Sequence, residues 1–134
     1  MRTVYFCTSA FPSAPEGDLE FCNGMPGSHL AGWIREGLIK KGYACKEPLQ
    51  EDYGWGFWIS EQGCSIWVSV SPAIGDPADA PEEVEWYVSV KHDYPFFFLR
   101  QLFRARRGRA VADEIFSSVK ERLDSHPDIE TEEV

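Results

Sequence analysis

Residues 55–71 read WGFWISEQGCSIWVSVS, and their pattern predicts an antiparallel β-hairpin. Two apolar runs flank Gln62-Gly63, and a two-residue loop with glycine in second place suits the tight turn between antiparallel strands. With that turn, Phe57 lies opposite Val68 and one face of the hairpin is wholly apolar. A three-residue loop would mix polar and apolar residues on both faces, so the pattern favours the shorter turn.

The second face of this hairpin is unusual because it carries two indole side chains. The predicted register sets Trp58 opposite Trp67, and the strictly alternating run 84–91 brings Tyr87 to the same face of a third strand. Burying one large aromatic side chain removes about 150–250 Å² from water. Leaving three of them exposed forgoes a stabilisation comparable with that of a whole domain, so we expect something to cover this face.

Two kinds of cover are compatible with the sequence. The loop 8–27, which contains Phe11, Leu19 and Phe21, or a C-terminal helix supplies the cover from within the chain. Alternatively, the cover is a partner protein, a second copy of the chain in a homodimer, or a flat ligand stacked on the indoles. In the second case the three aromatic residues form a partner-binding site.

The remaining segments predict an α+β domain. The predicted elements begin with a strand at 3–7 and a helix that Ser28 caps and Gly42 ends in a left-handed conformation. They continue with a short strand at 43–47, the hairpin, the strand 84–91, a helix that Pro95 opens and Gly108 ends, and a last helix at 109–124. This order favours a two-layer fold with a mainly antiparallel sheet and helices packed on one face.

Length and composition favour one globular domain. A chain of 134 residues is long enough to bury its own core, and we expect a single domain at 1–125 followed by an acidic, disordered tail at 126–134. The first residues contain no charged-then-apolar leader, and no apolar run approaches the length that crosses a bilayer. These features predict a soluble, cytoplasmic protein that does not enter membranes.

The charge is strongly negative but unevenly distributed. A formal charge of −9 disfavours nucleic acid as a partner, because neutralised phosphates supply most of that affinity. Against this background Arg100, Arg104 and Arg107 belong to a basic cluster and are candidates for binding an acidic partner. The same cations also complement a helix C-terminus or pair with carboxylates of the chain, and both interpretations stay open.

A second set of polar residues suits a small enzyme or a ligand-binding protein. Cys7 and His92 end two predicted strands and Glu51 precedes a third, so these residues are candidates to line a pocket between the loop 8–27 and the sheet. The sequence contains no nucleophile motif, no metal-ligand spacing and no phosphate-binding glycine loop, so we expect no metal and no cofactor. The pair Glu51-Asp52 is better explained as a turn than as two glycosidase carboxylates, because neighbouring side chains point apart.

Part of the chain resembles a group of small bacterial proteins. The resemblance rests on Leu30-Ala31-Gly32-Trp33, on Gly42-Tyr43 at the end of the helix, and on Glu51-Asp52-Tyr53-Gly54-Trp55 at the start of the hairpin. Those proteins look alike in a helix that ends in a K-G-Y or R-G-F turn, a following proline, and an E-D-(W/Y)-G-W motif. The resemblance implies no activity and therefore assigns no role to any residue.

Taken together, these features favour a non-catalytic domain that binds another protein. An immunity-like or adaptor-like role suits the small size, the acidity, the aromatic sheet face and the lack of catalytic motifs. The alternative is a small enzyme or ligand-binding protein with Cys7, His92 and Glu51 around its pocket. A deep cavity lined by those three residues would favour the alternative, whereas a flat aromatic face beside a closed core would oppose it.

Overall fold

The computed structural model describes the backbone of residues 1–93 and 100–134 and the side chains of residues 1–93 and 105–134. This part of the chain forms a seven-stranded antiparallel sheet with two helices on one face, which confirms the predicted two-layer α+β class. In chain order the elements are β1 (Arg2–Thr8), α1 (Ser28–Lys40), β2 (Ala44–Cys45), β3 (Leu49–Glu51), β4 (Gly54–Glu61), β5 (Cys64–Pro72), a 3₁₀ helix (Pro77–Asp79), β6 (Val84–Asp93), α2 (Arg100–Asp124) and β7 (Glu132–Glu133).

The predicted hairpin is confirmed in turn type and register. The φ angles of Gln62 and Gly63 are 50° and 75°, which is the left-handed geometry of a type I′ turn. Phe57 pairs with Val68, and Trp58 pairs with Trp67, as the hydrophobic pattern predicts. The hairpin lies at the centre of a sheet ordered β2-β4-β5-β6-β1-β7, and β3 also pairs with β4.

One face of the sheet forms the floor of the hydrophobic core. Alternate residues along β1, β4, β5 and β6 are buried against apolar side chains of α1 and α2. Trp86, Phe57 and Phe116 are among the largest side chains that are fully buried there. Because side chains alternate between the two faces of a strand, filling this core sends the other half of the side chains to the face that points away from the helices, here called the outer face.

Helix α1 is held at its start by a carboxylate from the long loop. Glu16 Oε1 accepts hydrogen bonds from the backbone N–H groups of Gly27 and Ser28 at 2.5 and 2.8 Å, which gives partners to groups that a helix leaves unpaired. The sequence predicts Ser28 as the capping residue, but Gly27 occupies that position and Ser28 begins the helix. Gly42 follows the helix with a φ of 96°, in the left-handed conformation predicted for it.

Helix α2 differs from its sequence-based prediction, which ends one helix at Gly108 and begins another at 109. The structure contains one helix that runs through Gly108 without a break. Gly108 faces the sheet, and a Cβ atom there would lie 1.9 Å from Cε1 of His92. The glycine therefore provides close contact between α2 and β6 rather than a helix end. The predicted start of the first helix at Pro95 lies outside the described residues.

The last residues also differ from the expected disordered tail. Ile129 is buried, and Glu132 and Glu133 form β7, which pairs with β1. Arg2 on β1 donates a hydrogen bond of 2.6 Å to the Glu133 carboxylate. Charge alone predicts disorder here, but an unpaired sheet edge and one apolar residue are sufficient to hold a short segment.

We expect Gly54→Ala to lower the free energy of unfolding by about 1–3 kcal/mol. Gly54 has a φ of 150°, and a Cβ atom there would lie 2.1 Å from the carbonyl oxygen of Val70. The matched control is Gly32→Ala in α1, where a Cβ atom meets nothing within 4 Å and alanine should stabilise the helix by about 0.4–1 kcal/mol. Urea denaturation followed by circular dichroism measures the free energy of unfolding of both variants. Equal changes in the two variants would contradict the close approach of Gly54 to Val70.

Ile129→Ala should destabilise the domain by about 2 kcal/mol, because it removes buried apolar atoms. The control is Glu130→Ala next to it, which changes an exposed side chain and should alter the free energy of unfolding by less than about 0.5 kcal/mol. If both variants unfold like the wild type, the segment 126–134 does not pack as described.

Candidate functional site

Two indoles on the outer face lie against each other across β4 and β5. The ring centroids of Trp58 and Trp67 are 4.8 Å apart and their planes are inclined by 49°. Trp67 leans over Gly56, because a Cβ atom at that glycine would lie 2.3 Å from Cζ2 of the indole. The indole N–H of Trp67 donates a hydrogen bond of 3.0 Å to the hydroxyl of Tyr53 in the β3–β4 turn. The missing side chain at Gly56 thus makes the space in which the indole lies.

A pair of tyrosines continues the aromatic surface toward β1. The rings of Tyr87 and Tyr5 are 5.4 Å apart, and Tyr87 is 39 % exposed. The hydroxyl of Tyr5 donates a hydrogen bond of 2.9 Å to the Glu85 carboxylate, and that bond is the main reason that the pKa of Tyr5 rises to about 12. The sequence pattern predicts Tyr87 on this face but not Tyr5 or Tyr53. The alternation of Thr3, Tyr5 and Cys7 in the first strand was a signal for Tyr5, whereas Tyr53 comes from a turn and had none.

The outer face is not flat, because a pocket of about 420 Å³ opens beside the indole pair. Its walls combine aromatic and charged groups. The lining residues are Met1, Glu51, Tyr53, Trp58, Trp67, Ser69, Lys91 and Asp93. A volume of this size is within the range of small-ligand sites, about 300–1,000 Å³.

The described contacts of the loop 8–27 lie away from this surface. Phe11 packs against Trp33 of α1 and the ring of His126, with centroids 5.6 and 5.9 Å apart, and so joins the helix layer. Leu19 and Phe21 are 62 % and 78 % exposed, so neither side chain is buried against the sheet. The described residues therefore do not show the loop 8–27 covering the aromatic residues of the outer face.

The outer face carries an excess of negative charge on its described strands. Strand pairing and alternation place four carboxylates and one ammonium group there: Glu51, Glu85, Asp93, Glu132 and Lys91. Among the described residues, neither Glu51 nor Asp93 forms an ion pair. Two carboxylates that form no ion pair with the described residues therefore border the aromatic pocket.

The alternative pocket of Cys7, His92 and Glu51 is not assembled. Cys7 pairs with Glu85, and His92 lies seven residues further along β6. At about 3.3 Å per residue, the two side chains are separated by about 23 Å along the strand. They also face opposite layers, because His92 points toward α2 and Cys7 toward the outer face. Glu51 lies on the outer face at the opposite edge of the sheet from β1.

The chemical state of Cys7 is that of an unreactive thiol. It is exposed, but a hydrogen bond to Glu83, with smaller contributions from desolvation and nearby carboxylates, raises its pKa to about 11. Burial raises the pKa of Cys45 to about 11 as well. The pKa of His92 is lowered, chiefly by burial. Because the thiolate is the nucleophile, these environments disfavour cysteine chemistry at pH 7.

The basic cluster lies on the other layer of the molecule. Arg107 is exposed on α2, which packs on the sheet face opposite to Trp58 and Trp67. The side chains of Arg100 and Arg104 lie outside the described residues. The two groups of residues predicted to bind partners therefore do not form one surface.

Within the described part of the chain, no cluster of three His, Cys, Asp or Glu side chains could hold a metal ion. Neither described helix is long and apolar enough to cross a membrane. Comparison with known protein families, with curated proteins and with solved structures finds no match for this chain.

We expect Cys7 to react with iodoacetamide at pH 8 about tenfold more slowly than a free thiol of ordinary pKa. A pKa near 11 leaves less thiolate, and the higher intrinsic nucleophilicity of that thiolate offsets only part of the loss. Glu83→Gln should remove the main cause of the shift and accelerate the reaction. Peptide mapping by mass spectrometry over time measures both rates, and a fast Cys7 in the wild type would reopen the possibility of a cysteine site.

Proposed function

We propose that this chain is a non-catalytic binding domain and that its outer sheet face receives a protein partner. One observation carries the proposal: Trp58 and Trp67 lie against each other, partly exposed, beside an open pocket, and Tyr87 on the same face is 39 % exposed. Tryptophan and tyrosine dominate the energy of protein interfaces, because their large rigid side chains bury much area at low entropic cost. A cytoplasmic adaptor or immunity role is the form of this function that we favour.

The arrangement of the polar groups supports a binding role over a catalytic one. Nucleophilic catalysis needs a nucleophile and a base within hydrogen-bond reach. Cys7 and His92 lie at opposite ends of paired strands, and the pKa of Cys7 is raised. The residues that the sequence offers for chemistry are thus dispersed, whereas its aromatic residues are gathered.

A second candidate function is the binding of a small flat ligand in the same place. The pocket of about 420 Å³ beside Trp58 and Trp67 favours it, because its size and its mixture of aromatic and charged walls suit such a molecule. The two candidates differ in what they require of the surface. A protein partner also uses the tyrosine pair, whereas a small ligand needs only the pocket.

The test uses the double variant Trp58→Ser, Trp67→Ser, with Ile39→Ser as the control. Ile39 is an exposed apolar residue of α1 in the other layer, so its replacement removes apolar surface without touching the outer face. Circular dichroism first verifies that both variants are folded. Size-exclusion chromatography with light scattering and quantitative pull-down then compare them with the wild type.

We expect the double variant to lose the association and the control to retain it. If the partner is a second copy, the wild type is a dimer and the double variant a monomer. If it is another protein, one prey is enriched by the wild type and the control but not by the double variant. The same preys and the same mass for all three proteins would contradict a binding role for this face.

A further inference from the structure

We infer that the pocket beside the indole pair takes an arginine side chain, presented by a basic segment of the partner protein. The inference rests on the proposed function, since it names the chemistry of the partner at the same surface. Three independent features of the pocket point to a guanidinium group: its aromatic faces, its two carboxylates and the charge of the surface around it.

The aromatic faces suit a planar cation. A cation above the face of an aromatic ring is attracted by the ring quadrupole, most strongly for tryptophan, and a guanidinium group also stacks flat on an indole. The planes of Trp58 and Trp67 are inclined by 49°, and Tyr53 adds a third ring to the pocket wall. A flat cation can therefore lie on one ring while its edge contacts another.

The carboxylates suit the edge of the same group. Glu51 comes from β3 on one side of the indole pair, and Asp93 comes from β6 on the other. Neither is engaged in an ion pair among the described residues. Arginine presents several N–H donors in a fixed fork, so one guanidinium group can stack on an indole and still donate to a carboxylate.

The rest of the outer face extends this preference beyond the pocket. Glu85 and Glu132 follow the tyrosine pair toward β1, so the face carries more carboxylates than ammonium groups along its length. The raised pKa values of Tyr5 and Cys7 have neighbouring carboxylates as their first cause, which agrees with a negative potential on this side. Such a field favours encounter with a positively charged segment.

Lys91 is the cationic side chain that lines the pocket, and it opposes a cation there. It lies on β6 between the two carboxylates, pairs with Trp67 across the strands, and forms no ion pair among the described residues. An anionic ligand would use Lys91 as its partner, whereas an arginine would be repelled by it. The effect of removing this charge therefore has opposite signs for the two ligands.

The binding experiment uses isothermal titration calorimetry with a blocked octapeptide of alternating arginine and glycine, and with its lysine counterpart. The variant is Glu51→Gln, Asp93→Asn. Its control is Glu36→Gln, Glu121→Gln, which removes the same charge from exposed side chains of α1 and α2, on the other sheet face. We expect the arginine peptide to bind the wild type more tightly than the lysine peptide, and the variant to weaken binding at least about fivefold more than the control.

A second comparison uses Lys91→Gln with Lys40→Gln as its control, since Lys40 is an exposed cation at the end of α1. Lys91→Gln should tighten binding of the arginine peptide more than Lys40→Gln does. The inference is overturned if Lys91→Gln weakens binding of the arginine peptide. It is also overturned if the Glu51→Gln, Asp93→Asn variant and its control weaken binding equally, or if the arginine and lysine peptides bind the wild type equally well.

Failure of this inference can be told apart from failure of the proposed function. If the double tryptophan variant loses its association while the arginine peptide never binds the wild type, the outer face is a binding surface but not for a cation. If the tryptophan variant changes neither the association nor peptide binding, both proposals fall.

Discussion

The pairing of β4 with β5 is the constraint on which the rest of the molecule depends. The tight turn at Gln62-Gly63 sets the register, and the register sends Phe57 into the core and Trp58 to the outer face. A slip of one residue would exchange the two faces, because side chains alternate with a period of two. One local turn therefore determines both which residues fill the core and which lie on the outer face.

Two glycines of β4 shape the outer face beside the indole pair. Gly56 carries no side chain at the point where the indole of Trp67 leans over β4. Gly54 passes so close to the carbonyl oxygen of Val70 that no Cβ atom fits, and the hydroxyl of Tyr53 next to it accepts a hydrogen bond from Trp67. The outer pocket is thus a consequence of the same hairpin that forms the core, and it needs no separate element to support it.

The sheet lies between a carboxylate-rich outer face and the described arginines of the basic cluster. Carboxylates are in excess on the outer face, whereas the described arginines of the basic cluster, including Arg107, belong to the helix that packs on the other face. The two surfaces differ in composition and shape as well as in charge, because the acidic outer face is aromatic and concave. If the outer face receives a partner as proposed, charge and shape would together set its specificity.

Local alternation and turn chemistry determined much of this protein from the sequence alone: the hairpin and its register, the face that carries Trp58, Trp67 and Tyr87, and the two-layer class. These features depend on residues close together in the chain or on strict periodicity. Tertiary structure alone decided that Gly108 continues a helix against His92, that Ile129 anchors the last residues, and that the loop 8–27 joins the helix layer. It also placed Cys7 and His92 far apart. Those outcomes depend on strand order and on contacts between distant segments, which no local pattern encodes.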